Sequence, residues 1–147
     1  MKTSMTPRAE SDALPRIHVT EQDWQRLNSL LTTARRRGSL AEDEALDAEL
    51  ARAEVVPSSE IGPDVVTMNS RVRFALGDGR CYVRTLVYPW DADAEKGLVS
   101  VLAPLGNALL GLSVDDVMTW TLPDGRTVKV KVLEVLYQPE AAGDPHL

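Results

Sequence analysis

The residues of this chain that could carry chemistry fall mainly in two short charged runs. Glu42-Asp43-Glu44 offers three adjacent carboxylates, and Arg35-Arg36-Arg37 lies just before it. Carboxylates at the start of a helix interact favourably with its positive end. Their alternative use is to hold magnesium, a hard cation that takes oxygen ligands. The arginine run reads either as a solvated helix end or as a positive tip meeting an acidic surface or a nucleic-acid backbone. Elsewhere the chemistry is sparse. A single cysteine and two histidines cannot form a zinc set at the usual spacings. Cys81 sits in a strand-like run and reads as a buried thiol. His18 flanks a helix and reads as a surface or partly packed side chain, and His146 as a solvated one. Asp115-Asp116 precedes a strand and is expected to make turn hydrogen bonds. No glycine-rich phosphate loop or nucleophile motif is present. The expectation is therefore no catalytic residue, no metal site and no cofactor.

Composition narrows the class further. The chain has 147 residues, 44% of them hydrophobic, and a formal net charge of −6. That size suits one or two small domains. The negative charge, spread evenly along the chain, makes free duplex DNA an unsuitable primary partner. Met1 to Arg16 lacks the apolar core of a signal peptide, and no apolar run approaches a membrane span. A cytoplasmic location is expected, with no membrane contact and a monomeric state.

The elements that must position these residues follow from periodicity. Residues 1–16 carry no apolar period and read as a disordered tail. Thr20 suits an N-cap, with Asp23 in the capping-box place. Trp24, Leu27, Leu30, Leu31 and Ala34 then recur at helical spacing, up to the Arg35-Arg36-Arg37-Gly38 stop. Ser39-Leu40-Ala41-Glu42 opens a second helix, with Leu46, Leu50 and Ala53 as its stripe. So short a link makes the two helices antiparallel over residues 17–56, each about 20 Å long at about 1.5 Å per residue. From Val65 the period becomes two. Val72, Phe74 and Leu76 alternate with Arg71, Arg73 and Ala75, and Gly77-Asp78-Gly79 signals a hairpin. Further strands are expected at 81–87, 98–102, 117–122 and 127–137, with a bulge near Val132 or burial on both faces. Pro104 to Leu110, closed by Gly111, reads as one short buried helix. The fold class is α+β: a short helical hairpin, then over 64–147 a twisted antiparallel sheet with one packed helix.

Four segments carry a specific resemblance. They are Asp64-Val65-Val66-Thr67-Met68-Asn69-Ser70-Arg71-Val72, Val83-Arg84-Thr85-Leu86-Val87-Tyr88-Pro89, Pro104 to Leu112, and Tyr137-Gln138-Pro139-Glu140-Ala141-Ala142-Gly143. Together they resemble the Gre-factor superfamily, and within it the family of regulators of nucleoside diphosphate kinase, the Rnk family. The resemblance covers about residues 17–147. It implies an antiparallel coiled-coil hairpin followed by an FKBP-like C-terminal domain. It also implies binding at the rim of the secondary channel of bacterial RNA polymerase, through Leu102, Ala103 and Pro104, with indirect contact to RNA in the channel. Cleavage factors of the superfamily carry a hairpin roughly twice as long, whose tip acids reach the catalytic magnesium. Glu42 and Asp43 match that acid pair in type but stop short of its position. The resemblance therefore implies a non-enzymatic polymerase accessory protein that affects nucleoside diphosphate kinase. The alternatives are a prolyl isomerase, suggested by fold alone, and a direct protein regulator of the kinase.

Overall fold

The computed structural model describes residues 15–36, 41–121 and 124–143. Strand β1 (His18–Thr20) leads into helix α1 (Glu21–Arg36); helix α2 (Ala41–Arg52) returns into strand β2 (Glu54–Val56). The cap of α1 is the expected one, since the Asp23 N–H donates to Thr20 Oγ1 at 3.1 Å. β1 and β2 pair in parallel, with Val19 opposite Val55. That two-stranded sheet was not foreseen, because three-residue strands are too short to show a period.

The remaining strands are β3 (Arg71–Leu76), β4 (Cys81–Val87), β5 (Leu98–Ser100), β6 (Val117–Thr121) and β7 (Thr127–Tyr137). They form one sheet in the order β5-β4-β3-β7-β6. Helix α3 (Pro104–Leu109) packs on it, and helix α4 (Pro139–Ala142) follows β7. The expectation of an antiparallel sheet needs correction. β4 and β5 run parallel, with Leu86 opposite Val99, so the sheet is mixed. A tight hairpin cannot join parallel strands. The connection 88–97 instead folds into two single turns, Pro89–Asp91 and Ala94–Lys96, which bring the chain back in the same direction.

The phase change in β7 has the cause anticipated for it. Phe74 pairs with Val132 but Arg73 pairs with Glu134, so Leu133 is an extra residue in the ladder. Two sequence-based burial expectations fail. Cys81 is exposed, because it starts β4 beside the 77–80 turn, where little packs on it. Trp24 is 38% exposed; the buried line of α1 is Asp23, Leu27 and Leu31, one residue round from the expected stripe.

One continuous core joins all of this. Leu27 and Leu31 of α1 and Leu46 and Leu50 of α2 belong to the same cluster as Leu109 and Leu110 by α3 and Phe74, Val130 and Val132 of the sheet. Each such side chain contributes roughly 1.5–3 kcal/mol of burial. Two glycines set the distances of closest approach. A β-carbon on Gly106 would lie 2.0 Å from the Ser100 carbonyl oxygen. One on Gly111 would lie 2.7 Å from Ile17 Cβ, and φ there is +79°, a left-handed value. The Gly111 N–H donates to the Val66 carbonyl at 2.8 Å, and its own carbonyl accepts from the His18 N–H at 3.1 Å.

This contrast predicts two different glycine costs. Gly79 also has positive φ, at +90°, but nothing lies within 4 Å of its missing β-carbon. Gly79→Ala is expected to cost only the conformational penalty, about 1–2 kcal/mol. Gly111→Ala adds overpacking and is expected to cost about 3 kcal/mol or more. Urea midpoints of the two variants check the difference.

Candidate functional site

The turn between β5 and α3 is built tightly by local bonds. The Ser100 side-chain oxygen accepts from the Leu102 N–H at 3.0 Å, and the Ser100 carbonyl accepts from the Ala103 N–H at 3.0 Å. Pro104 occupies the first helical position, where it loses no hydrogen bond. The Ala103 carbonyl then receives the first helical bond, from Asn107 N–H at 2.8 Å. With Gly106 seated against Ser100, turn and helix form one rigid unit. Pro104 is exposed and Ala103 half-buried. Leu102 is half-buried and packs against the core.

The other sequence-predicted site residues lie at the far end of the helical pair. Arg35 and Arg36 are in the last turn of α1, and Glu42 and Asp43 are in the first turn of α2. Arg37 lies outside the described residues, as do residues 1–14 and His146. By helix rise, the length of α1, about 24 Å, separates Arg36 from the rigid junction at its start. Among the described residues no group of acids, histidines and cysteines could hold a metal ion. No helix among them is long and apolar enough to cross a membrane.

Between α1 and the sheet lies a polar network that the sequence reading missed. Asp23 is buried, and its Oδ2 accepts the Met68 backbone N–H at 3.1 Å. Its Oδ1 accepts from Arg26 Nη2 at 2.6 Å. The Arg26 guanidinium also lies 5.2 Å from the centre of the Tyr88 ring. Nearby, Thr67 Oγ1 donates to Glu140 Oε1 at 2.7 Å and shares a 2.9 Å hydrogen bond with Ser70 Oγ. Gln138 Nε2 donates to the carbonyls of Gly62 and Val65, both at 2.8 Å. The only sign of this in the sequence is the acid at Asp23, which also suits a capping box. The cap is half made: Asp23 sends its carboxylate to Met68, across the fold.

Burial is the main influence on both acids of the network. It pushes Asp23 above its ordinary value of 3.8, outweighing the lowering by Arg26, Met68 and Thr20. It raises Glu140 as well, against the hydrogen bond from Thr67. Tyr88 is raised by burial first and by Asp23 second, so its hydroxyl stays protonated. His18 Nε2 stands 3.8 Å from Glu54 Oε1 and is partly packed, as expected. Asp116 Oδ2 accepts from the Ser113 N–H at 2.9 Å, which is the expected turn role.

Comparison with known proteins places this geometry in a family. Residues 61–137 match the profile described as "Transcription elongation factor, GreA/GreB, C-term". Residues 15–56 match the one described as "Rnk N-terminus". The chain is 48% identical over 131 residues to the "Regulator of nucleoside diphosphate kinase" of Escherichia coli strain K12, covering 88% of this chain and 96% of that one. It is 34% identical over 90 residues to the "Transcription elongation factor GreA" of Helicobacter hepaticus, covering 60% of this chain and 55% of that one. Among solved structures it is similar to the "Prokaryotic transcription elongation factor GreA/GreB from Nitrosomonas europaea", with TM-score 0.67 and 45% identity over 84% of this chain and 99% of that one.

The network makes a pH prediction. Because the folded pKa of Asp23 is raised, the native state holds its extra proton above the unfolded value near 3.8. The stability this carboxyl contributes is full below that value and is lost as pH rises through the folded pKa. Glu140 adds in the same direction. Wild-type stability minus that of Asp23→Asn should therefore fall as pH rises from about 4 towards neutrality. Urea unfolding of both proteins across that range measures it.

Proposed function

This chain belongs to the Rnk branch of the GreA/GreB transcription elongation factor family, and on that premise we propose that it is an accessory protein of bacterial RNA polymerase. In this reading it sits at the entrance of the secondary channel and does not cleave transcripts. The carrying observation is the length of its helices. α1 has 16 residues and α2 has 12, hence about 24 Å and 18 Å at about 1.5 Å per residue. As a short antiparallel hairpin over 17–56 they bring Glu42 and Asp43 into the channel mouth. A carboxylate that stops well short of a metal cannot share it, and solvent screens its charge beyond about 8 Å.

The C-terminal domain, 64–147 and FKBP-like in this reading, supplies the anchor. Leu102, Ala103 and Pro104 are held on a rigid turn, so docking them orders nothing further. The arginines at 35–37 lead the hairpin and speed its approach to an acidic, phosphate-bearing channel. Occupying the channel entrance excludes cleavage factors. The effect on nucleoside diphosphate kinase then follows from transcription. The name of the Escherichia coli relative favours a second reading, direct contact with the kinase. Parallel pull-downs with core polymerase and with the kinase separate the two.

Leu102→Asp combined with Pro104→Ala is expected to weaken binding to core polymerase at least tenfold, about 1.4 kcal/mol. Unchanged affinity in a competition assay against a cleavage factor removes this anchor. With a backtracked polymerase complex, saturating protein and magnesium should release no 3′ RNA fragment. Cleavage that disappears in Glu42→Ala or Asp43→Ala shows the opposite, a hairpin that reaches the metal.

A further inference from the structure

The five-stranded sheet has one covered face and one open face. Register sets Arg71 and Arg73 of β3 opposite Tyr137 and Glu134 of β7, and opposite Thr85 and Val83 of β4. It sets Lys129 and Lys131 of β7 opposite Thr119 and Val117 of β6. Side chains alternate between faces along a strand, and the other set, including Val72, Phe74, Val130 and Val132, is the buried one. Arg71, Arg73, Thr119, Lys129, Lys131 and Glu134 are all exposed.

Charge on this face runs against that of the chain. The whole carries −6, yet the strands present Arg71, Arg73, Lys129 and Lys131 against Glu134. Glu134 pairs with Arg73 at 3.2 Å. Among the described residues no ion pair engages Arg71, Lys129 or Lys131. One end of the face deepens into a cleft of about 880 Å³ between Arg71, Thr85 and Tyr137 on the sheet and Trp90 and Lys96 on the 88–97 connection. Asp91 and Asp93 also line it. Trp90 is 70% exposed, and its ring stacks on buried Tyr88 at 5.1 Å with 4° between the planes. One face of the indole is thus held in place, and the opposite face can receive a second flat ring.

We propose that this open sheet face binds single-stranded nucleic acid, with phosphates on Arg71, Lys129 and Lys131 and one base stacked on Trp90. Duplex is disfavoured because its bases are already stacked and cannot reach the indole. Asp91 and Asp93 lie on the 88–97 connection with Trp90 and repel phosphate there, which leaves that wall of the cleft to the uncharged base and the sheet wall, with Arg71, to the phosphate. Lys96 is already paired with Asp93 at 4.0 Å. An acidic peptide would satisfy the cations but would make no use of the aromatic platform. The proposal stands apart from the polymerase reading, and its assay contains no polymerase.

The test is fluorescence anisotropy with labelled oligouridylate and oligothymidylate of about ten nucleotides, within the usual site size of one small binding domain, at low and at higher salt. Binding of either strand is expected, and the tighter one names the natural chemistry. Engagement of three phosphates gives a slope of log affinity against log salt of about −2. Arg71→Gln with Lys129→Gln and Lys131→Gln should weaken low-salt binding at least tenfold and remove most of that slope. Trp90→Ala should weaken binding roughly tenfold with the slope kept. Arg80→Gln, at the 77–80 turn and ion-paired with Asp78, should change neither. All these positions are exposed, so unchanged melting of each variant is the folding control. No binding by the wild type at low salt overturns the proposal, as does binding that survives the triple substitution. Polyglutamate displacing the oligonucleotide as well as unlabelled strand does, with Trp90→Ala without effect, also overturns it and makes this a face for an acidic protein.

Discussion

At Gly111 three stretches of chain meet with no room for a β-carbon. Its carbonyl takes the His18 N–H, its N–H goes to Val66, and a β-carbon placed on it would run into Ile17. This contact ties the segment before α1 to the end of α3 and to the stretch that leads into the large sheet. β1 starts at His18 and pairs with β2, so the same junction also fixes where α2 comes back. A larger residue would force apart backbone atoms that have no flexible end to yield. The direction in which the helical pair leaves the sheet domain depends on this one approach.

Asp23 is the second tie between the same parts, and it works by a different physics. Burying a carboxylate is unfavourable unless its oxygens are bonded. Here both oxygens are used, one for the Met68 N–H and one for Arg26. A bond to charge is directional, whereas the surrounding leucines would tolerate some sliding. The Gly111 contact sets position and the Asp23 bonds set rotation about it. Arg26 then lies against Tyr88, which carries Trp90. Helix α1 and the aromatic edge of the sheet are thus fixed by one network.

What was legible in the sequence is what depends on local pattern. The caps at Thr20 and Pro104, the left-handed Gly111, the alternation of Val72 and Phe74 with Arg71 and Arg73, and the β7 bulge all follow from near neighbours in the chain. What was not legible depends on distant ones. The parallel turn of β5 onto β4 needed the shape of the 88–97 connection. Asp23 is buried because its carboxylate meets the N–H of Met68, far along the chain, and no local spacing shows that contact. Cys81 is exposed because of what fails to pack on it, which no spacing encodes. Leu102, Ala103 and Pro104 are singled out by family resemblance alone, since a proline-led turn has no chemistry that would mark it. The cationic phase of the sheet was visible as alternation, but its exposure required knowing which face the helix covers.

The central claim is that the helical pair is held on the sheet domain as firmly as the sheet holds itself. Native-state hydrogen exchange of individual amides tests this most directly. The amides of His18, Met68 and Gly111 make the bonds that cross the junction. If the claim holds, they exchange with the same free energy as Val132 in the middle of β7, through global unfolding alone. Exchange of His18 and Met68 several kcal/mol more easily than Val132 would contradict it, because α1 and α2 would then be swinging free of a sheet that stays folded.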